Sequence, residues 1–395
     1  MLSAVVLLFI SLVGCGTSPT RTIEFGVDLP LSGVDGASAI PARNAVILAI
    51  EQANKRGLPG GYHLALEDLD DTVGGKHDPA QGASNLKTLV ADPGVLAVIG
   101  PINSNVAKAE IPISNAAGLA LLTMGASAIE LTRGPAAAAL RTGQPGRVTF
   151  FRLCAADDEQ GGVSAQYART LGLRRVFIID DNESYGRGIA DVFSNAFTQA
   201  GGQVLGREHL TSFALDYKAL LTKVKERDPD VIFFGGIVST GGAVLRKQMA
   251  DVGLAQVPYF GGDGLSNPQY VPLAGSAADG TYFTAVAPDV DHFVPGRAFF
   301  SAYRARFGAD AGNYGPASFA AAQVAVAAIT AALAEHPDQI PTRDEVLTRI
   351  AATSKLATPV GPVTFDSSGD LRHATISLYR IRAGRFEFVK QSSAP

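Results

Sequence analysis

Tryptophan is absent from the 395-residue chain, and cysteine is confined to Cys15 and Cys154. Two cysteines make no disulfide framework, so stability has to come from apolar cores. If Cys15 is modified, no intramolecular disulfide is possible, and Cys154 reads as a small buried hydrophobe. The six histidines (His63, His77, His209, His292, His336 and His373) are scattered in mostly polar segments and read as surface residues, not as metal ligands or bases. No long basic run exists and the net charge is −4, which argues against nucleic-acid binding. Catalytic signatures are missing too: there is no G-x-S-x-G, H-E-x-x-H or G-x-x-x-x-G-K-[ST], and no histidine stands near Cys154 in sequence. Asp70-Asp71 and Asp157-Asp158-Glu159 read as helix caps or loop shapers. These absences exclude the common enzyme classes and give no reason to expect a metal or a cofactor.

What is present describes an exported, globular, two-domain chain. Apolar residues make up 47% and charged residues 18%, and the length exceeds a usual single core. Residues 2–13 form an apolar run too short to span a bilayer, as in a secretory signal, although no Lys or Arg precedes it. Leu12-Val13-Gly14-Cys15 resembles a bacterial lipobox, in which Cys15 becomes the acylated first residue of the mature protein. The plain alternative is a signal peptide with an incidental cysteine. Residues 1–14 are therefore expected to be removed, and residues 15–21 to form a lipid-anchored tether.

After the tether, strand-like apolar runs alternate with amphipathic helical patterns. This rhythm implies βαβ units and parallel sheets covered on both faces. Residues 22–29 and 62–69 open a first series, and residues 175–180 and 230–235 belong to a second. The tail, with strand patterns at 375–382 and 385–390 around Ala383-Gly384, reads as a β-hairpin. The expected fold class is α/β, with two doubly wound lobes.

Residues 95–132 carry the densest functional signal. The apolar run 95–99 meets Gly100-Pro101 and then Asn103, Ser104 and Asn105 before a helical pattern. A second run, 119–122, meets Thr123, Gly125 and Ser127 before another. Each reads as a strand running into a helix N-terminus, where unpaired N–H groups and the dipole favour a carboxylate. Asn103 and Ser127 as simple N-caps are the bland alternative.

The order and spacing of several pieces resemble type I periplasmic binding proteins of the leucine/isoleucine/valine-binding kind, from about Ile23 to Phe388. The pieces are PLSG at 30–33, VIGPINS at 98–104, TMGASAIELT at 123–132 and the FR…DEQG segment at 151–161. Later ones are Asp181…Tyr185-Gly186, FFGG at 233–236, GGDG at 261–264 and VGPVTFDSSGDL at 360–371. The resemblance implies two Rossmann-like lobes joined by a three-strand hinge, with crossings near residues 150–154, 283–285 and 359–362. Lobe 1 becomes 22–150 plus 285–358, and lobe 2 becomes 151–284 plus 359–395. It further implies that Ser104 grips a ligand α-carboxylate, that the Gly125 carbonyl accepts from the α-ammonium, and that Ser127, just after Ala126, touches both groups. Asp263 pairs with the ammonium across the cleft and Tyr185 closes over the ligand. Ser38, Ile237 and Tyr314 line the side-chain pocket, where Ser38 and Ile237 replace family aromatics.

The function so implied is that of an extracytoplasmic, lipid-anchored substrate-binding component of an ABC importer. It takes an amino acid, branched-chain or related, by hinge closure, and its partner is a permease in the cytoplasmic membrane. A sensor module of the same fold, uncoupled from transport, is the alternative; the sequence after Gly280 shows neither a membrane-spanning pattern nor an output domain, which favours transport. An enzyme is the third reading.

Overall fold

The computed structural model describes residues 21–210, 215–289 and 294–393. The signal and lipobox expectations, with Cys15 and His292, lie outside the described residues. Five strands form the first sheet: β1 (Arg21–Leu29), β2 (Tyr62–Asp70), β3 (Val95–Ile99), β4 (Ala120–Thr123) and β5 (Phe150–Arg152), in the order β2-β1-β3-β4-β5, all parallel. The second sheet repeats that order with β6 (Arg175–Asp180), β7 (Gln203–His209), β8 (Val231–Gly235), β9 (Tyr259–Gly261) and β10 (Thr281–Ala285), as β7-β6-β8-β9-β10. The expected hairpin, β11 (Thr375–Arg382) and β12 (Arg385–Ser393), adds two antiparallel strands beyond β10.

Both sheets are buried on both faces because their strands are nearly continuous apolar runs. Helices Gly36–Arg56 and Gly315–Glu335 cover one face of the first sheet, and Pro79–Ala91 and Ser104–Ala117 cover the other. Helix Gly315–Glu335 is long and apolar enough to cross a membrane, yet 72% of its apolar window is buried in this core, which accounts for its composition. In the second sheet, Asp157–Thr170 and Ser184–Gln199 pack on one face, and Lys218–Glu226 and Ala243–Asp251 on the other.

The chain passes between the sheets three times. It leaves the first after β5, returns after β10 to lay residues 297–351 on the first, and reaches the second again at β11. Val363 and Phe365, which the sequence division assigns to lobe 2, pack instead in the first core, so the last crossing follows Phe365 and not residues 359–362. The reason is local: strand Gly361–Val363 pairs with Leu356–Thr358, and Phe365 lies against Phe151 at a ring-centroid distance of 5.1 Å.

Three wholly buried carboxylates, Asp28, Asp71 and Glu110, sit beneath helices Pro79–Ala91 and Ser104–Ala117. Asp71 therefore does not shape a surface loop as the sequence suggests. Burial pushes all three above the ordinary carboxylate range, Asp28 to about 6, where hydrogen bonds with Glu110 and Asn85 (2.8 Å) hold part of the rise back. Such raised values mean the folded protein holds protons the unfolded chain releases, so this cluster loses stability as pH rises. Glu110→Gln keeps a neutral donor and removes one titration. Its stability relative to wild type should therefore grow between pH 5 and pH 9 in urea titrations; a constant or falling difference contradicts the account.

Candidate ligand-binding site

In an open sheet of order 2-1-3-4-5, the loops after the first and third strands diverge to opposite faces and leave a crevice at the C-terminal strand edge. Both sheets have such a switch point, after β1/β3 and after β6/β8, and the two edges face one another. Gly100 makes the first possible. It lies at φ 142°, where a Cβ would collide with the Asp28 carbonyl, so the chain passes tightly over β1 and delivers Ile102 to Asn105 into the crevice. Gly186 does the same opposite, in close approach to the Asp181 carboxylate and the Gly235 carbonyl.

Two adjoining cavities of ≈ 20 and ≈ 30 Å³ lie between the edges. Each holds little more than one water, so a larger molecule reaches their groups only when the walls part. Ser104, Gly125, Tyr185, Ile237, Asp263 and Tyr314 meet in the first; Ser38, in the first turn of helix Gly36–Arg56, lines the second. A larger groove of ≈ 780 Å³, with Ala285, Phe300, Tyr379 and Phe386 among its walls, lies away from both switch points.

Asp263 is the electrostatic centre. It is buried, and its carboxylate accepts from Tyr185 Oη (2.9 Å) and Gln160 Nε2 (3.0 Å) through Oδ1 and from Tyr314 Oη (2.8 Å) through Oδ2. Burial raises its pKa above the usual aspartate value, and the three neutral donors offset part of that rise. No cation of the chain touches it among the described residues. Tyr185 and Tyr314 thus serve first as hydroxyl donors to Asp263. Asp157, read from sequence as a cap, is wholly buried nearby, and burial pushes it to about 8 with the Ser127 hydroxyl opposing.

On the facing wall, Ser104 opens helix Ser104–Ala117, so its N–H and that of Asn105 have no carbonyl four residues back. Its hydroxyl accepts from the Ala128 N–H at 3.2 Å. Asn103 holds the N-cap position but makes no side-chain cap bond. The second expected helix N-terminus does not form. After β4 the chain makes a loop and a three-residue 3-10 turn at Ile129–Leu131, because Thr123 Oγ1 accepts from the Gly125 (3.1 Å) and Ala126 (2.9 Å) N–H groups and closes a tight turn. Gly125 lines the cavity, whereas Ala126 and Ser127 are wholly buried behind it and line neither.

The loop is fixed from beneath by Arg152. This wholly buried guanidinium donates to the Ala126 (3.2 Å) and Ala128 (3.1 Å) carbonyls, to Thr132 Oγ1 (2.5 Å) and to Asp370 (3.0 Å).

A polar clasp joins the walls at the rim. His77, expected at the surface, is 8% exposed; its Nδ1 meets Asp35 (3.2 Å) and its Nε2 meets Glu183 of the opposite wall (2.9 Å). Asn105 also donates to Glu183 (3.1 Å), and Ser239 reaches back to Asp35 (2.9 Å). Burial disfavours the imidazolium, but the two carboxylates outweigh it and raise its pKa to about 10. A raised histidine pKa means the clasp is intact below about 6.5 and through neutrality, and is lost as pH climbs through about 10. Glu183→Ala removes the one His77 partner on the far wall among the described residues. Charge-assisted hydrogen bonds contribute about 1.5–3 kcal/mol, so this variant should open the walls by that amount. Small-angle scattering should then show a larger radius of gyration; an unchanged radius contradicts the clasp. Asp35, Gln160 and Glu183 carry no functional mark in the sequence, Asn105 is marked there only as part of the turn before the helix, and His77 reads as a surface residue. Only the density of Asx, Glu and His after the strand ends could have pointed to them.

Comparisons with known proteins identify the fold and the family. A family model described as periplasmic binding protein matches residues 22–385. The Leu/Ile/Val-binding protein BraC3 of Rhizobium johnstonii is 31% identical over 367 residues, 92% of each chain. The branched-chain amino acid transporter substrate-binding protein LivJ of Streptococcus pneumoniae, solved with isoleucine, superposes with a TM-score of 0.81 at 24% identity, covering 95% of this chain and 99% of that one. A solute-binding protein from R. palustris solved with benzoate gives 0.76 at 20% identity, covering 94% and 96%. The structural likenesses show the fold, that of type I periplasmic binding proteins; with a family match across nearly all the described residues, the chain belongs to the periplasmic binding protein family.

Proposed function

We propose that this protein is the extracytoplasmic substrate-binding component of an ABC importer and that it carries an amino acid between its two sheets. The two lobes are residues 22–154 with 286–365 and residues 155–285 with 366–393, since Phe151, Leu153, Cys154 and Val286 pack in the first core and Ala285 ends a strand of the second sheet, and they part and close about the three crossings. The observation that carries the reading is Asp263. It is a buried carboxylate with neutral donors only, at the switch point opposite an open helix N-terminus. Such a pair suits a zwitterion: the ammonium compensates Asp263, and the carboxylate takes the Ser104 hydroxyl and the Ser104 and Asn105 N–H groups, with Gly125 beside it. Both charges must be compensated, since an unpaired buried ion costs several kcal/mol.

The benzoate-bound relative favours a second reading, an aromatic carboxylate ligand. The lining opposes it here: Asp35, Asp181, Glu183 and Asp263 face the two cavities, and among the described residues no Lys or Arg does. We also propose that Cys15 is acylated after removal of residues 1–14 and tethers the protein to the membrane beside its permease. Hinge closure on an amino acid needs no covalent chemistry. Calorimetric titration of the mature protein with the twenty amino acids tests the reading. Heat of binding with at least one is expected; no heat with any, or heat with benzoate alone, overturns it.

A further inference from the structure

Resting on the amino-acid reading above, we infer that the side-chain end of the site takes a hydrogen-bond-donating, cationic side chain such as that of lysine or ornithine, and not an aliphatic one. The second cavity is the space left for that end, since the first is occupied by the groups that hold the zwitterion. Beyond Asp263 and Tyr314, which it shares with the first cavity, its polar lining includes Asp35, Ser38, Asn103 and Asn267, and its apolar lining includes Ile102 and Ile237.

Two observations give the chemistry. Asn103 is 9% exposed, lines both cavities, and its Oδ1 is a buried acceptor with no partner among the described residues. A ligand N–H satisfies it, whereas an aliphatic side chain strands it, and sites built around such an acceptor reject analogues that lack the donor. The second observation is charge. Four carboxylates line the two cavities, and the one cation touching any of them among the described residues is His77, shared between Asp35 and Glu183. The α-ammonium compensates Asp263, His77 compensates one of Asp35 and Glu183, and Asp181 accepts from Thr240 Oγ1 (2.8 Å) with burial lifting it to about 7. A second ligand cation beside Asp35 offsets the carboxylate charge that His77 leaves over. Both side-chain bonds that Asp35 accepts, from His77 and Ser239, land on Oδ2, which leaves Oδ1 for that cation.

Calorimetry on the full mature chain with L-lysine, L-ornithine, L-leucine and benzoate, at one fixed salt concentration, decides the inference. Lysine or ornithine should bind at least tenfold more tightly than leucine. Asn103→Leu should cut that ratio at least fivefold, and Ser38→Val, a smaller change in the same cavity, should move it in the same direction. Leucine binding as tightly as lysine or more tightly overturns the inference and leaves the amino-acid reading standing. No binding of lysine or ornithine overturns the inference, and silence with all twenty amino acids, whether or not benzoate binds, overturns both. The wild-type ranking suffices if neither variant folds.

Discussion

Replacing Asp263 with alanine should weaken amino-acid binding by about 3–5 kcal/mol, a loss of roughly 100- to 5,000-fold in affinity. The magnitude follows from burial. In the proposed closed complex the ligand ammonium has no water, and its counter-ion would be Asp263, which Tyr185, Tyr314 and Gln160 hold by hydrogen bonds. The isosteric Asp263→Asn separates binding from folding. Its amide oxygen still accepts from Tyr185 and Gln160, and its amide nitrogen can donate to Tyr314. Because burial holds the Asp263 carboxyl above its ordinary pKa, its ionisation opposes folding at neutral pH. Asp263→Asn should therefore raise the thermal midpoint while binding is lost. A midpoint that falls together with affinity would assign Asp263 a structural role. The same shift fixes a sign for pH: binding draws the carboxyl back to its charged form, so affinity should rise with pH from the acid side until Asp263 is ionised in the free protein.

Arg152→Ala should cost about 3–5 kcal/mol of folding stability, the usual result of breaking a buried ion pair from one side. The side chain is wholly buried and joins the β5 end, the Ala126–Ala128 loop, Thr132 and Asp370. Without it the Ala126 and Ala128 carbonyls lose a donor in the interior, and Asp370 keeps only Arg133 (2.9 Å) and Thr132 (3.0 Å). Burial raises the Asp370 pKa, but Arg152 and Arg133 outweigh it and hold the carboxyl below its ordinary value. A lowered carboxylate contributes stability that is present above its unfolded pKa, about 3.9, and is lost as pH falls through the folded value. The variant should thus show a lower urea midpoint at pH 7 and a smaller further loss on acidification. A change under about 1 kcal/mol at pH 7 would show that the network is dispensable. Since Arg152 supports the loop that carries Gly125, affinity should fall as well.

Much of this was legible from the chain alone, and the reasons are physical. Continuous apolar strands alternating with amphipathic helices dictate two parallel sheets, and the Pro-Gly-Asx turns at their ends mark where strands hand over to ligand-facing loops. Ser104, Gly125, Tyr185, Asp263 and Tyr314 converge because each follows directly from a strand end or opens a helix. The misses are long-range. His77 looks like a surface residue in a polar hairpin until Asp35 and Glu183, 42 and 106 residues away, close on it. Ser127 looks like a second N-cap, but the Thr123 hydroxyl closes a turn there and no helix starts. Val363 and Phe365 carry no local mark of which core will take them; the contact with Phe151 decides it. Asp71 and Asp157 look like ordinary turn residues because sequence does not show burial.

The most direct test is a crystal structure of the mature protein with the amino acid it binds most tightly. The ligand should lie between the β1/β3 and β6/β8 edges, with its ammonium nitrogen about 3 Å from an Asp263 oxygen and its carboxylate on the Ser104 N–H and hydroxyl. A ligand carboxylate facing Asp263, or a ligand seated outside the crevice, contradicts the account.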